Sequence, residues 1–256
     1  MRYLELTLDD PAMNLALDEA LLETAESLAA GHAEGASLAA DSGAGAASSE
    51  ILRVWEPATP CVVLGRSSRI DQEVRLLECE SRGIPVLRRA SGGATIVTGP
   101  GCLMYAVLLS YQRMPELRLL DQAHQHVMER QREAVSRLGF ECVVQGICDL
   151  TWSGRKFSGN SLRCRRHFVL YHGTLLYDFP VELLAHCLGA PERQPDYREQ
   201  RSHLDFVTNL PAHRADLISS LRTVWGADEP TGDWPLGMTL RLASDKYSRL
   251  EWTKRH

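Results

Sequence analysis

Lysine is almost missing from this chain. Of 28 basic residues in 256, only Lys156, Lys246 and Lys254 are lysines, and the other 25 are arginines. A lysine at mid-chain, directly after Arg155, therefore stands out, because an ammonium is a compact point charge whose pKa shifts readily. Long apolar runs are missing too. None approaches the roughly 20 residues that cross a bilayer, and no apolar segment of a secretory signal follows Met1-Arg2-Tyr3-Leu4-Glu5. The expected location is cytoplasmic, with no membrane partner. A positive excess is also absent: the net charge is −5, which excludes a nucleic-acid footprint. Seven cysteines (61, 79, 102, 142, 148, 164 and 187) form no CxxC and no zinc spacing, and the count is odd. They read as free thiols in a reducing compartment, most of them small buried hydrophobes. There is no Rossmann or Walker glycine pattern and no strict strand–helix alternation. Those absences exclude a doubly wound nucleotide fold and favour an α+β domain, a mixed, mostly antiparallel sheet flanked by helices.

What is present is an ordinary globular balance, 44% hydrophobic and 24% charged, enough for one large core. The expected organisation is a single domain over 1–256, with no repeat and no sharp boundary. Residues 30–49 are rich in Ala, Gly and Ser and lack bulky apolar side chains apart from Leu38. They predict a flexible insertion that supplies no packed face and is dispensable for stability and activity.

The chain is organised around Arg88-Arg89-Ala90-Ser91-Gly92-Gly93-Ala94-Thr95-Ile96-Val97. Residues 84–87 and 95–97 read as strands, and the turn between them is nearly bare of side chains. Glycine permits close backbone approach, and exposed N–H groups in such a turn form a concave anion site. Arg88 and Arg89 add charge of a shape that matches phosphate or carboxylate. An ordinary hairpin behind two surface arginines has the same sequence.

The remaining elements follow from periodicity. Residues 4–8 predict an opening strand. Asp10 caps a helix with Pro11 in its first turn, running to about residue 29, with Asp18, Glu19 and Glu23 on its polar face. Strands are expected at 51–55 and 61–64, a polar ligand-facing loop at 65–69, a helix at 71–82 and a buried strand at 103–109. A helix over 120–138 carries His124 and His126 two apart, which reads as a solvated face and not a metal pair. A strand follows at 142–144. Ser153-Gly154 then predicts a hairpin that brings Asp149 and Lys156 toward one region, with Gly159-Asn160 ending its second arm. A strand at 167–171 leads through His172-Gly173-Thr174 to 175–177. A short helix at 181–188, a polar loop at 190–205, a helix at 211–225, a strand at 239–242 and a terminal helix at 244–252 complete the reading.

These residues resemble the lipoate–protein ligase and octanoyltransferase family, which is related to biotin–protein ligases. The likeness runs through Met13-Asn14-Leu15-Ala16-Leu17-Asp18-Glu19-Ala20, Val62-Val63-Leu64-Gly65-Arg66 and the Arg88–Gly93 turn. It continues in Gly154-Arg155-Lys156-Phe157-Ser158-Gly159-Asn160, His172-Gly173-Thr174-Leu175-Leu176 and Lys246-Tyr247 with Trp252. It implies a class II synthetase-like catalytic domain that attaches lipoate or octanoate to a carrier lysine. Lys156 would be catalytic. Arg89, Ser91, Gly92, Gly93, Ala94, Thr95, Ile96, Val97, Asp149, Ser158, Gly159, Asn160, His172, Gly173 and Thr174 would hold substrate and adenylate. ATP would be required, with Mg2+ arriving on the nucleotide and no metal fixed by the protein. The implied carriers are the lipoyl domains of 2-oxoacid dehydrogenases and the glycine-cleavage H protein. Acyl carrier protein and an accessory subunit are further implied partners.

The chemistry is consistent with that implication. Acyl-adenylate formation brings a carboxylate against an α-phosphate, and one lysine can neutralise both while charge develops on the acyl oxygen. Leu64, Val97 and Leu175 are the expected lining of the acyl slot. Three features depart from the family. Ala94 stands where a third glycine is usual, Cys102 stands where an asparagine is usual, and no accessory C-terminal domain is expected. Three readings are open: a ligase, a transferase with a thiolate nucleophile, and a non-catalytic acyl-binding module. For the transferase Cys148, eight residues before Lys156, is the first candidate, ahead of Cys142 and Cys164.

Overall fold

The computed structural model describes residues 1–34, 50–189 and 194–256. In chain order its strands are β1 (Arg2–Glu5), β2 (Ile51–Trp55), β3 (Cys61–Leu64), β4 (Val86–Arg88), β5 (Ile96–Thr98), β6 (Cys102–Ser110), β7 (Val143–Gln145), β8 (Asp149–Trp152), β9 (Arg155–Cys164), β10 (Phe168–Leu176) and β11 (Glu229–Pro230). The helices are α1 (Pro11–Glu34), α2 (Ile70–Glu73), α3 (Leu76–Ser81), α4 (Leu120–Ser136), α5 (Glu182–Cys187), α6 (His203–Phe206), α7 (Arg214–Trp225), α8 (Leu236–Leu242) and α9 (Leu250–Thr253).

Eight strands form one sheet in the order β11-β1-β2-β6-β10-β9-β8-β7. Every pairing from β2 to β7 is antiparallel, and β1 runs parallel to both neighbours. A second sheet, β4-β3-β5, leans on the first. This is the α+β, mostly antiparallel architecture that the sequence predicts.

The spine is β6 against β10, two nine-residue strands buried throughout. One face carries Tyr105, Val107, Val169 and Tyr171 and packs on α4 and α7. The other carries Leu108 and Leu170 and is covered by Leu17, Leu21 and Leu22 of α1. Full burial of each such leucine contributes about 1.5–3 kcal/mol. The start of α1 is as expected: Asp10 Oδ1 accepts from the Ala12 N–H at 2.8 Å. Among the described residues no helix is long and apolar enough to cross a membrane.

Several local expectations are corrected. β1 ends at Glu5 because the Asn14 side chain takes both the N–H and the C=O of Leu8, at 3.0 and 2.6 Å. α1 runs to Glu34, so 30–34 of the expected insertion is helix, as alanine favours. Residues 35–49 lie outside the described residues. The helix expected at 71–82 is two, α2 and α3. Val74 is extended and bridges Leu188, and the Arg75 N–H bonds Cys187 O at 2.9 Å. Residues 239–242 are the end of α8, not a strand. Thr239 is buried and its hydroxyl bonds Pro235 O at 2.9 Å, one helical turn back. The expected terminal helix is a π-turn over Ala243–Tyr247 followed by α9. His124 and His126 are half-buried, not solvated. His124 Nδ1 lies 2.8 Å from Tyr171 Oη, and His126 meets the edge of Trp225 at 6.0 Å. Within the expected loop over 190–205, short helical turns form at Asp196–Arg198 and α6.

Candidate active site

β4 and β5 pair with β3 and not with each other, so the segment between them crosses over the end of β3 and is not a hairpin. At that crossing the Arg66 N–H bonds Ser91 O at 2.8 Å. A Cβ on Gly65 would lie 1.8 Å from Gly93 O, so only glycine fits beneath the loop.

The two arginines do not form an open anion site. Arg88 is fully buried. Its guanidinium reaches Gly65 O at 2.7 Å, Ser68 O at 2.8 Å and Thr253 O at 2.8 Å, and the Trp252 indole N–H bonds Arg88 O at 2.8 Å. Arg88 therefore clamps the C-terminal segment to the loop. Arg88→Met leaves several buried carbonyls unpaired, and an expected loss of about 3–5 kcal/mol is read from urea midpoints at constant slope. Arg89 donates to Ser91 Oγ (3.1 Å), Val63 O (3.2 Å), Gly92 O (2.5 Å) and Ala94 O (2.9 Å). Its charge holds the loop's shape from behind. Burial lowers its pKa to about 10, against the pull of Glu73, so it is a cation at neutral pH. In front, Gly92, Gly93 and Ala94 are exposed, and among the described residues their N–H groups meet no protein acceptor.

Ser91 closes a second buried chain. Its Oγ lies 2.5 Å from His172 Nε2, His172 Nδ1 faces Asp18 Oδ2 at 3.4 Å, and Asp18 Oδ1 pairs with Arg53 at 2.5 Å. Asp18 and Glu19, expected on a polar face, are each 3% exposed, and Glu19 pairs with Lys246 at 2.6 Å. Burial raises the Asp18 pKa, but the Arg53 charge and the His172 and Arg53 hydrogen bonds outweigh it, and the net shift is downward. The stabilisation from this pair is present above the unfolded carboxyl pKa, about 3.9, and is lost as pH falls through the lower folded value. Asp18→Asn is therefore expected to cost about 3 kcal/mol or more at pH 7, where Arg53 loses its partner. The gap to the parent should narrow below about pH 4, as measured by urea denaturation at both pH values.

Lys156 enters from the hairpin. Ser153 and Gly154 turn it with φ of 51° and 74°. A bulge between Leu150 and Thr151 shifts the register, so that Asp149 lies opposite Gly159. Lys156 Nζ then reaches Asp149 Oδ1 at 2.8 Å. The second arm does not end at Gly159-Asn160; β9 continues to Cys164, with Asn160 paired to Gly173. Asn160 is held by its surroundings, giving its amide to Cys148 O at 2.7 Å and accepting from Tyr105 Oη at 2.5 Å. Ser158 Oγ accepts from Asn160, and Thr174 Oγ1 accepts from the Gly159 N–H at 3.3 Å. Thr95 gives both its N–H and its hydroxyl to Glu73 Oε2, at 2.9 and 2.7 Å. The Cys148 thiol donates to Asn160 O at 3.0 Å. Burial, with Asp149 adding and Lys156 opposing, pushes it up to about 11. Cys142 is buried and also near 11, and Cys164 is exposed.

These groups surround a cleft of about 710 Å3 lined by Leu15, Asp18, Val63, Met104 and His172 at one end and by Asp149, Lys156 and Tyr197 at the other. A smaller compartment of about 140 Å3 adjoins it, lined by Val97, Leu176, Leu184, Phe206 and Arg198. Ala94, Thr95, Ile96, Lys156, Gly159 and Thr174 border both. The acyl-slot expectation is corrected: Leu64 and Leu175 are core side chains that line neither space, and Val97 lines the smaller one. Asp18, Arg53 and Tyr197 were missed. Asp18 stood among the helix's charges, and no local signal marks the other two.

A mixed sheet that presents a lysine–carboxylate pair and a glycine loop to a two-part cleft is the frame of a lipoate-ligase fold. The bi-partite lipoate protein ligase of Thermoplasma acidophilum superposes with a TM-score of 0.76 at 20% identity, covering 99% of this chain and 96% of that one. Residues 10–221 match the Lipoyl protein ligase A/B catalytic domain, and the chain belongs to that family. The probable lipoate-protein ligase A of Mycoplasma pneumoniae is 27% identical over 168 residues, 66% of this chain and 48% of its own. The octanoyltransferase LipM of Brevibacillus brevis is 22% identical over 290 residues, 99% of this chain and 98% of its own. The chain thus spans about half the length of the lipoate–protein ligases it matches.

Proposed function

We propose that this domain activates lipoate with ATP as lipoyl-AMP and passes the acyl group to one lysine of a lipoyl carrier domain, those of 2-oxoacid dehydrogenases or the glycine-cleavage H protein. The observation that carries the reading is the place of Lys156. Its ammonium stands where the two compartments meet, 2.8 Å from Asp149. An acyl carboxylate from the larger space and a phosphate at the loop would both fall within its reach. Lys156 then reduces the repulsion between the two anions and stabilises the charge that grows between them. The loop suits a phosphate: Gly92, Gly93 and Ala94 are exposed, their N–H groups meet no acceptor among the described residues, and the Arg89 cation lies behind them. Magnesium would come with the nucleotide. Leu15, Val63 and Met104 give the acyl tail an apolar wall.

Cys148 favours the ligase over the transferase, because a thiol near 11 that donates to a carbonyl is not a prepared thiolate. The transferase remains the second reading on one observation: its relative LipM matches nearly the whole chain. An accessory subunit is a proposed partner, since the match covers only about half of the ligase relatives' own length.

The test offers apo lipoyl domain with either lipoate and ATP-Mg or octanoyl carrier protein, read by intact mass. A lipoyl increment in the first arm alone is expected. An octanoyl increment in the second establishes the transferase, and an unmodified carrier in both leaves an acyl-binding module.

A further inference from the structure

Lys156 does not face the cleft as a bare charge. The Asp149 carboxylate beside it is shared: Oδ1 takes the Lys156 ammonium at 2.8 Å, and Oδ2 accepts a hydrogen bond from the Tyr197 hydroxyl at 2.7 Å. A carboxylate left to itself can turn to take an ammonium with both oxygens, and a charge-assisted bond that pins one oxygen competes with that arrangement. Tyr197 is fixed on three sides. Its ring lies 5.2 Å from that of Phe206. Its Cε1 lies beside Gly146, at ordinary contact distance from where a Cβ would stand. Its hydroxyl holds Asp149. Burial raises the phenol pKa, and the Asp149 charge and hydrogen bond add to that, so Tyr197 is a permanent donor at neutral pH. The ammonium lies over Gly159, where a Cβ would be 2.9 Å from both Cε and Nζ.

We propose that Tyr197 is a positioning residue for acyl activation. By holding Asp149 Oδ2 it turns the carboxylate so that Oδ1 alone meets Lys156. The remaining ammonium N–H groups then point into the cleft, toward the anions that react there. The inference rests on the ligase reading and deepens it. It ties the site to the segment just before α6, which belongs neither to the glycine loop nor to the hairpin.

The test is Tyr197→Phe, which deletes one hydroxyl and keeps the ring on Phe206 and Gly146. Lipoate-dependent pyrophosphate release should fall about tenfold in turnover, with KM for lipoate and ATP within about twofold. In an Asp149→Asn background the same substitution should change turnover by less than about twofold, because the hydroxyl acts through Asp149. A third measurement uses no substrate. Acetylation of Lys156 by an N-hydroxysuccinimide ester, mapped by peptide mass, should be slower in the variant, as the ammonium is then held by both carboxylate oxygens. Equal losses in both backgrounds, or labelling that is unchanged or faster, would overturn the proposal. If the parent releases no pyrophosphate, the ligase reading has failed, and the labelling result alone decides whether Tyr197 positions Lys156.

Discussion

Lys156→Ala is expected to abolish carrier modification while leaving the circular dichroism spectrum and melting temperature near those of the parent. The side chain is 28% exposed, and its partner Asp149 keeps the Tyr197 hydrogen bond. A partly exposed ion pair of this kind contributes only about 0–1 kcal/mol to stability. The hairpin is held by its backbone ladder, and the Lys156 carbonyl still accepts from the Thr208 N–H at 2.8 Å. On the proposed reading, loss of the cleft lysine removes charge stabilisation at the reacting atoms, where one such group typically contributes a factor of about 10²–10³. Lys156→Arg should fail as well. A planar fork cannot fold over Gly159 as the ammonium does, and it does not place a point charge between two anions. Substantial residual activity in the alanine variant would end the assignment of Lys156 as the catalytic residue.

Cys148→Ser separates the two enzyme readings. In the ligase no protein nucleophile is needed, and a serine hydroxyl can give the same hydrogen bond to Asn160 O that the thiol gives at 3.0 Å. Activity should then stay within about tenfold, or roughly 1.4 kcal/mol of barrier. In the transferase the thioester is the path, and serine cannot replace an activated thiolate. Activity would fall by orders of magnitude, and the parent would carry an octanoyl adduct after incubation with octanoyl carrier protein alone. The mild outcome is expected. With burial pushing the thiol up to about 11, it is held as the thiol at neutral pH. An octanoyl mass mapped to Cys148 and absent from the serine variant would reverse the order of the two readings.

What the sequence revealed was local. The β-branched run at β3, the long apolar run at β6 and the Ser153-Gly154 turn each specify their own geometry over a few residues, so strands and hairpin were legible. The Asp149–Lys156 contact was legible because one turn brings them together. Arg88 was misread because its acceptors come from other elements, carbonyls of 65–68 and 252–253 that no pattern in 88–97 encodes, and Arg89 because it folds back on its own loop at Ser91, Gly92 and Ala94 with Val63 O behind it. Asp18 was misread for the same reason. A carboxylate on a helix looks solvent-facing until Arg53 from β2 and His172 from β10 arrive to pair it. Residues 239–242 failed differently: four residues fit either period, and packing of α8 on α1 decides between them.

The clamp at Arg88 also bears on how the protein is made. Its guanidinium finds two of its acceptors on Trp252 and Thr253, 164 and 165 positions later in the chain. Contacts so distant in sequence cost loop entropy before they return anything, and they form late. A nascent chain that has already assembled β3, β4 and β5 still lacks the carbonyls that immobilise the turn beside them. The glycine loop therefore reaches its final shape only after α9 has been synthesised and docked on it, so this corner of the fold is completed late and not progressively.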